Sequence, residues 1–241
     1  MSADMSETLR RYYLSAMGIQ SWVKINTTAE HAAVPALSRQ QAVEHQPKQP
    51  SGITVATLAE QVAQCKRCSL SAVAAQRRIG LGSQTANLML IFIAPDTVTV
   101  EKNAGKFLAA ESEVLLEKML HAIELDSHDV YITSLLKCPI SASDNTANPA
   151  ISSAEIEACR PWLNQQIKQI KPQMLLVMGL TVAQCLLQTT GGQDDLRLHQ
   201  HDYAGVPVVV SYAVKDLLEN PPQKRKAWAD LQYLQKLLRA L

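Results

Sequence analysis

Two cysteines three residues apart, Cys65 and Cys68 in the stretch VAQCKRCSL, constrain this chain more than any other feature. A Cys-x-x-Cys pair at a helix end brings two sulfurs within reach of one metal ion or one corner of a cluster. Two later single cysteines complete the set of four only if the fold returns them to that place. Cys138, in TSLLKCPI, and Cys159, in EIEACRPWL, are available for this. Such a frame would clip the first helix of a domain to its core. The same spacing also suits a redox pair, and single cysteines are often just small buried hydrophobes, so the cysteines alone leave both alternatives open. Their number, five, is odd, which argues against a disulfide framework and leaves Cys185, in VAQCLL, as a buried helix position.

A chain of 241 residues can bury a substantial core, and a formal net charge of +1 gives no broad attraction to nucleic acid. Any DNA contact would be local or made through partners. The longest apolar run, Leu88 to Pro95, has the length of a buried strand rather than of a membrane span, and no signal peptide is evident. The expectation is a soluble cytoplasmic protein.

Three regions differ in composition. Residues 1–25 open with a helix signal, with Ser6 as cap and Leu9, Tyr12, Tyr13 and Met17 at helical spacing. Gly18 ends that helix, and Ile19 and Trp22 follow with nothing local to pack on, as in a docking peptide. Residues 26–52 are rich in Ala, Gln, Pro and Thr and poor in large apolar side chains, so they read as a flexible linker. Residues 53–241 alternate helix and strand patterns. A helix from Thr54 to Cys65 is followed by the strand LMLIFIAP, a helix over Glu111 to Ile123 with Val114 on its buried face, and the strand VYITSLLK. A capped helix then passes through Cys159, with Pro161 in its first turns. QMLLVMG and VPVVVSY supply two more strands, and the final helix from Lys224 to Leu241 carries Trp228 in its apolar stripe. The expected fold is α/β, a three-layer α/β/α sandwich around a central, mostly parallel four-stranded sheet.

In their order, the segments CKRC, FIAPD, GKF, YITSLLKC, EIEACRPWL, MGLTVA and YAVKD resemble the motifs of the iron–sulfur uracil-DNA glycosylases of family 4. The resemblance runs from about Leu58 to the C-terminus. It implies a [4Fe–4S] cluster on Cys65, Cys68, Cys138 and Cys159, with zinc as the alternative for four thiolates. It also implies a degenerate pocket: Ile93 stands where the family has the acidic residue that positions water, Ala213 where it has a charge-stabilising histidine, and Ser134 where it has the asparagine that reads uracil. Phe107 matches the stacking phenylalanine. A methyl group can neither accept a proton nor stabilise an oxyanion, so the expectation is a fold without catalytic residues and without glycosylase activity.

The peptide Leu14-Ser-Ala-Met17-Gly18-Ile19-Gln-Ser-Trp22 resembles the N-terminal signature of the psi subunit of bacterial DNA polymerase III. That resemblance implies a non-catalytic scaffold in DNA replication, with Leu14, Met17, Gly18, Ile19 and Trp22 on the tau/gamma subunits of the clamp loader. The domain would hold the chi subunit and, through it, single-stranded DNA-binding protein. Two rivals remain: a divergent uracil-DNA glycosylase of base-excision repair using Asp96, Glu101, His199, His201 or Asp202, and a DNA-binding module using Arg77-Arg78 and Lys224-Arg225-Lys226.

Overall fold

In the computed structural model, residues 54–74, 76–96, 106–140 and 151–241 are described. All of them belong to one unit, Gln49–Leu241. The docking-peptide residues Leu14, Met17, Gly18, Ile19 and Trp22, the linker, and Glu101 lie outside the described residues. The chain order is α1 (Val55–Ala63), α2 (Leu70–Val73), β1 (Gly80–Gly82), β2 (Leu88–Phe92), α3 (Ala110–His121), β3 (Val130–Ser134), α4 (Ser153–Ile170), β4 (Met174–Met178), α5 (Leu180–Leu187), α6 (Gln193–Leu196), β5 (His201–Tyr203), β6 (Val206–Ser211), α7 (Val214–Glu219) and α8 (Lys224–Leu238).

An unbroken apolar run is the mark of a strand covered on both faces, and β2, β3 and β4 are buried at every position. The sheet order is β1-β3-β2-β4-β6-β5. Its four inner strands are parallel, with Leu90 aligned to both Ile132 and Leu176. Alternation along β2 sends Leu88, Leu90 and Phe92 into a layer with α3, α7 and α8, and Met89 and Ile91 into a layer with α4 and α5. The three-layer α/β sandwich follows. The four expected strands are the inner ones, and two short antiparallel edges, β1 and β5, bring the total to six. β1 lies so close to β3 that a Cβ at Gly82 would stand 2.2 Å from the Val130 carbonyl oxygen, and φ there is +109°. Only glycine fits such an approach.

Several local expectations need correcting. α1 stops at Ala63, capped at its start by a reciprocal Thr54–Thr57 box, so Cys65 lies in the loop beyond it. Val114 and Trp228 are 48% and 40% exposed, because α3 buries Leu116, Met119 and Leu120, and α8 turns Ala227, Asp230, Leu231 and Leu234 inward. Cys185 is half-buried rather than buried. Pro161 sits well inside α4, where it removes one intrahelical donor without ending the helix. Packing of Trp162, Leu163 and Ile167 immediately beyond it holds the helix together.

Candidate active site and metal centre

The cysteine frame is assembled by three segments. α1 packs through Leu58 and Val62 against Leu136 and against Cys159 and Trp162 of α4, with Cys65 at the margin of the same apolar cluster. The loop between α1 and α2 carries Cys65 and Cys68, both half-buried, while Cys138 follows β3 and Cys159 lies on α4, both buried. Ser69 Oγ donates to Glu155 Oε1, and Glu155 Oε2 accepts from the Ser152 amide at 2.9 Å in the α4 capping box. One carboxylate therefore joins the Cys-x-x-Cys loop to the start of α4.

Burial, then the neighbouring Cys159, push the Cys138 thiol up to about 11, and Cys68 and Cys65 add to the rise. Cys159 is raised first by burial and also by Cys68 and Cys65. The four thiols thus share one electrostatic environment, in which several bare thiolates would repel. The Lys137 amide donates to Cys159 Sγ at 3.4 Å. The Lys137 ammonium is buried and donates to Thr133 Oγ1 at 2.8 Å and to the Ser134 carbonyl at 2.5 Å. Loss of solvent lowers it to about 7. Among the described residues, no group of three or more His, Cys, Asp or Glu side chains is set to hold a metal ion.

A second feature is a cavity of about 500 Å3 at the carboxyl ends of β2, β4 and β6. Phe92 and Met178, the last residues of β2 and β4, line its floor. Ile93, Ala94 and Asp96 enter from the loop after β2, Glu111 and Ser112 from the start of α3, and Ala213, Val214, Lys215 and Glu219 from the region after β6. The Asp96 amide donates to the Phe107 carbonyl at 3.1 Å, which fixes the loop to the segment before α3. That segment is held in turn by Glu113 Oε1, which accepts from the Phe107 and Leu108 amides, each at 2.8 Å. In an open parallel sheet, the crevice beyond the carboxyl ends of the strands is where ligands bind.

The four pocket positions named from sequence separate here. Ile93 and Ala213 line the cavity. Phe107 is fully buried with its ring 6.3 Å from that of Phe92, and Phe92 is the ring that lines the cavity. Ser134 is fully buried, and its Oγ donates to the Leu136 carbonyl at 2.6 Å. Of the polar residues held as candidates for a divergent enzyme, Asp96 lines the cavity. His201 is on the edge strand β5 with Nε2 2.9 Å from the Leu196 carbonyl, and Asp202 Oδ1 accepts from the Gly205 amide in the following turn. Glu111, Ser112, Lys215 and Glu219 were missed. The only signal for Glu111, Ser112 and Lys215 was position, at the starts of α3 and α7, and Glu219 ends α7 one turn beyond Lys215.

Residues 79–232 match the uracil DNA glycosylase superfamily. The chain belongs to that superfamily. It is 28% identical over 182 residues to a type-4 uracil-DNA glycosylase of Pyrobaculum aerophilum, covering 72% of this chain and 89% of that protein. A type-4 uracil-DNA glycosylase of Saccharolobus solfataricus is 32% identical over 123 residues, 51% of this chain and 54% of that protein. One from Archaeoglobus fulgidus is 28% identical over 127 residues, 53% and 60% respectively.

These relatives overturn the replication assignment. They are uracil-DNA glycosylases, so the psi-subunit function, the expectation of a non-enzyme, and the clamp-loader tau/gamma, chi and single-stranded DNA-binding protein partners all give way to an enzyme family that acts on DNA. The physical error was to let Ile93 and Ala213 decide the matter, since the cavity they line retains carboxylates and an ammonium from neighbouring positions. Among the described residues no helix is long and apolar enough to cross a membrane.

Proposed function

We propose that this chain is a uracil-DNA glycosylase of base-excision repair, with Asp96 in place of the usual water-positioning residue. The observation that supports it is the cavity at the carboxyl ends of β2, β4 and β6, which joins Asp96 and Lys215 to an apolar floor within the span shared with the superfamily. A base must leave the stack before an enzyme can work on it, and Phe92, Ile93 and Met178 offer the apolar surface that would receive its face. Asp96 would orient the attacking water, and the ammonium of Lys215 would offset the negative charge that develops on the departing base. Because Ile93 and Ala213 contribute no polar group, and one preorganised donor is commonly worth about 10²–10³ in rate, the reaction here should be slow.

The cysteines Cys65, Cys68, Cys138 and Cys159 would hold a [4Fe–4S] cluster. A cubane binds one cysteine at each of four corners and suits four thiols that sense one another. Buried donors beside the frame that lack any protein acceptor also fit a sulfur-rich group. The cluster would give the loop between α1 and α2 a fixed attachment to the core, and this structural use requires no change of oxidation state.

The test is uracil release from a uracil-containing oligonucleotide under single-turnover conditions, with iron-loaded protein in excess. Release above the buffer control is expected, falling by about 10²-fold or more in Asp96→Asn, as loss of a general base commonly does. Iron-loaded, folded protein that releases no uracil would overturn the proposal.

A further inference from the structure

Among the described residues, five buried side-chain nitrogens have no hydrogen-bond partner: Arg77 Nε, Arg78 Nε and Nη2, Trp162 Nε1 and Gln193 Nε2. Four of these five atoms belong to residues at the cysteine frame. Trp162 follows Cys159 by three positions on α4, so both side chains share one face of the helix, and both belong to the apolar cluster that reaches Cys65. Arg77 binds the two carbonyls that flank the Cys-x-x-Cys loop, with Nη1 donating to Ala63 at 2.8 Å and Nη2 to Ser71 at 2.5 Å. The Arg78 amide donates to the Lys137 carbonyl, one residue before Cys138.

A buried donor left without an acceptor forfeits its hydration with nothing in return, and folded proteins rarely accumulate such donors. Several of them around one set of thiols are accounted for by an acceptor that the polypeptide does not itself supply. Thiolate and sulfide sulfurs of an iron–sulfur cluster are acceptors of that kind, and hydrogen bonds to them both hold the cluster and set its potential.

We propose that Trp162 Nε1 and Arg77 Nε donate hydrogen bonds to the sulfur atoms of the cluster, making these two residues its positioning shell. The inference rests on the cluster assignment above. Donation from N–H stabilises the more negative, reduced state, so the pair raises the reduction potential. Arg77 has a further part, because its other two nitrogens hold both ends of the loop that carries Cys65 and Cys68.

Two variants test the donors. Trp162→Phe keeps an aromatic ring in the core and deletes one N–H, so it isolates the donor, while Arg77→Lys keeps the charge and removes the Nε donor together with the fork that binds Ala63 and Ser71. Both are expected to bind iron, to reduce at a lower potential than the parent protein, and to lose iron to a chelator about 10-fold faster or more, the usual cost of removing an outer-shell partner. A measurement on the parent protein covers the case in which a variant fails to fold. The chain has three tryptophans, Trp22, Trp162 and Trp228, so ¹⁵N-tryptophan labelling gives three indole N–H resonances. One of them should carry a cluster-induced shift on reduction and be absent from Trp162→Phe. Iron-loaded parent protein with three unshifted indoles, or variants with unchanged potential and iron release, would overturn the proposal while leaving the cluster assignment intact. Parent protein that binds no iron would instead remove the cluster assignment, and this inference with it.

Discussion

Two guanidinium groups in this domain, the buried Arg197 and the half-buried Arg77, meet the same electrostatic problem differently. Under β6, Asp230 is fully buried, and its Oδ2 accepts from Arg197 Nε at 2.9 Å and from Ser211 Oγ at 2.8 Å. Arg197 Nη2 lies 2.8 Å from Asp230 Oδ1 and also donates to the Lys226 carbonyl at 2.6 Å, while Nη1 donates to Asp194 Oδ1 at 2.9 Å. Every nitrogen of that guanidinium is engaged by protein atoms. Arg77, beside the cysteines, engages two of its three nitrogens and leaves Nε without a partner. A guanidinium whose nitrogens all meet protein atoms has a structural task, whereas one that stops short at a set of thiols is shaped for a further component.

The sharpest way to break this comparison is to remove that component. Cys138→Ser or Cys159→Ser should abolish iron binding and lower the melting temperature more than any other change considered, because a site formed only on folding returns its binding energy as stability. Iron content and thermal unfolding measure both outcomes together. Chelation of the parent protein should reproduce the loss. Equal melting temperatures with and without iron would show that the frame closes without help.

The self-contained network should respond oppositely. Asp230→Ala removes one partner of a buried ion pair and leaves the Arg197 guanidinium uncompensated, which costs about 3–5 kcal/mol in such settings. Denaturant unfolding should report that loss with iron content unchanged. Because Ser211 is the last residue of β6 and Ala213 lines the cavity two residues on, uracil release should fall as well. A loss of iron in this variant would mean that the two networks are mechanically joined.

The inner sheet was legible in the sequence because LMLIF, VYITS, MLLVM and VPVVVS are apolar runs whose burial leaves no other reading. β1 and β5 were not, since GLG and HDY have no hydrophobic pattern and exist through pairing with a neighbour. Helical spacing placed Val114 and Trp228 on candidate apolar faces, but the face that is buried depends on where the sheet lies. The cavity was harder still. Ile93 and Ala213 could be recognised by their place in motifs, while Glu111 joins Lys215 and Glu219, themselves one turn apart on α7, only when the ends of the strands are brought together. Motif positions report what a site has lost more readily than what has moved in beside it.

The smallest effect sharpens the comparison most finely. Arg67 lies between the two cysteines of the loop, exposed, with its Cζ 4.5 Å from the centre of the Trp162 ring. An exposed contact of this type is worth about 0.5–1 kcal/mol, so Arg67→Ala should cost about that much in iron-loaded protein. Without iron, the loop loses its attachment through Cys65 and Cys68, and the contact must offset the entropy of ordering the residues that make it. Its contribution should then fall toward zero. Linkage turns this difference into a binding effect: a contact stronger in the loaded state must favour loading by the same free energy. Arg67→Ala should therefore weaken cluster retention about 2- to 5-fold, the equivalent of 0.5–1 kcal/mol. Unfolding curves of the parent and variant, each with and without iron, give the four values required. If Arg67→Ala costs the same in both states, then the loop is held without the cluster by the two Arg77 hydrogen bonds and by Ser69 on Glu155, and this side of the frame is as self-contained as the network around Asp230.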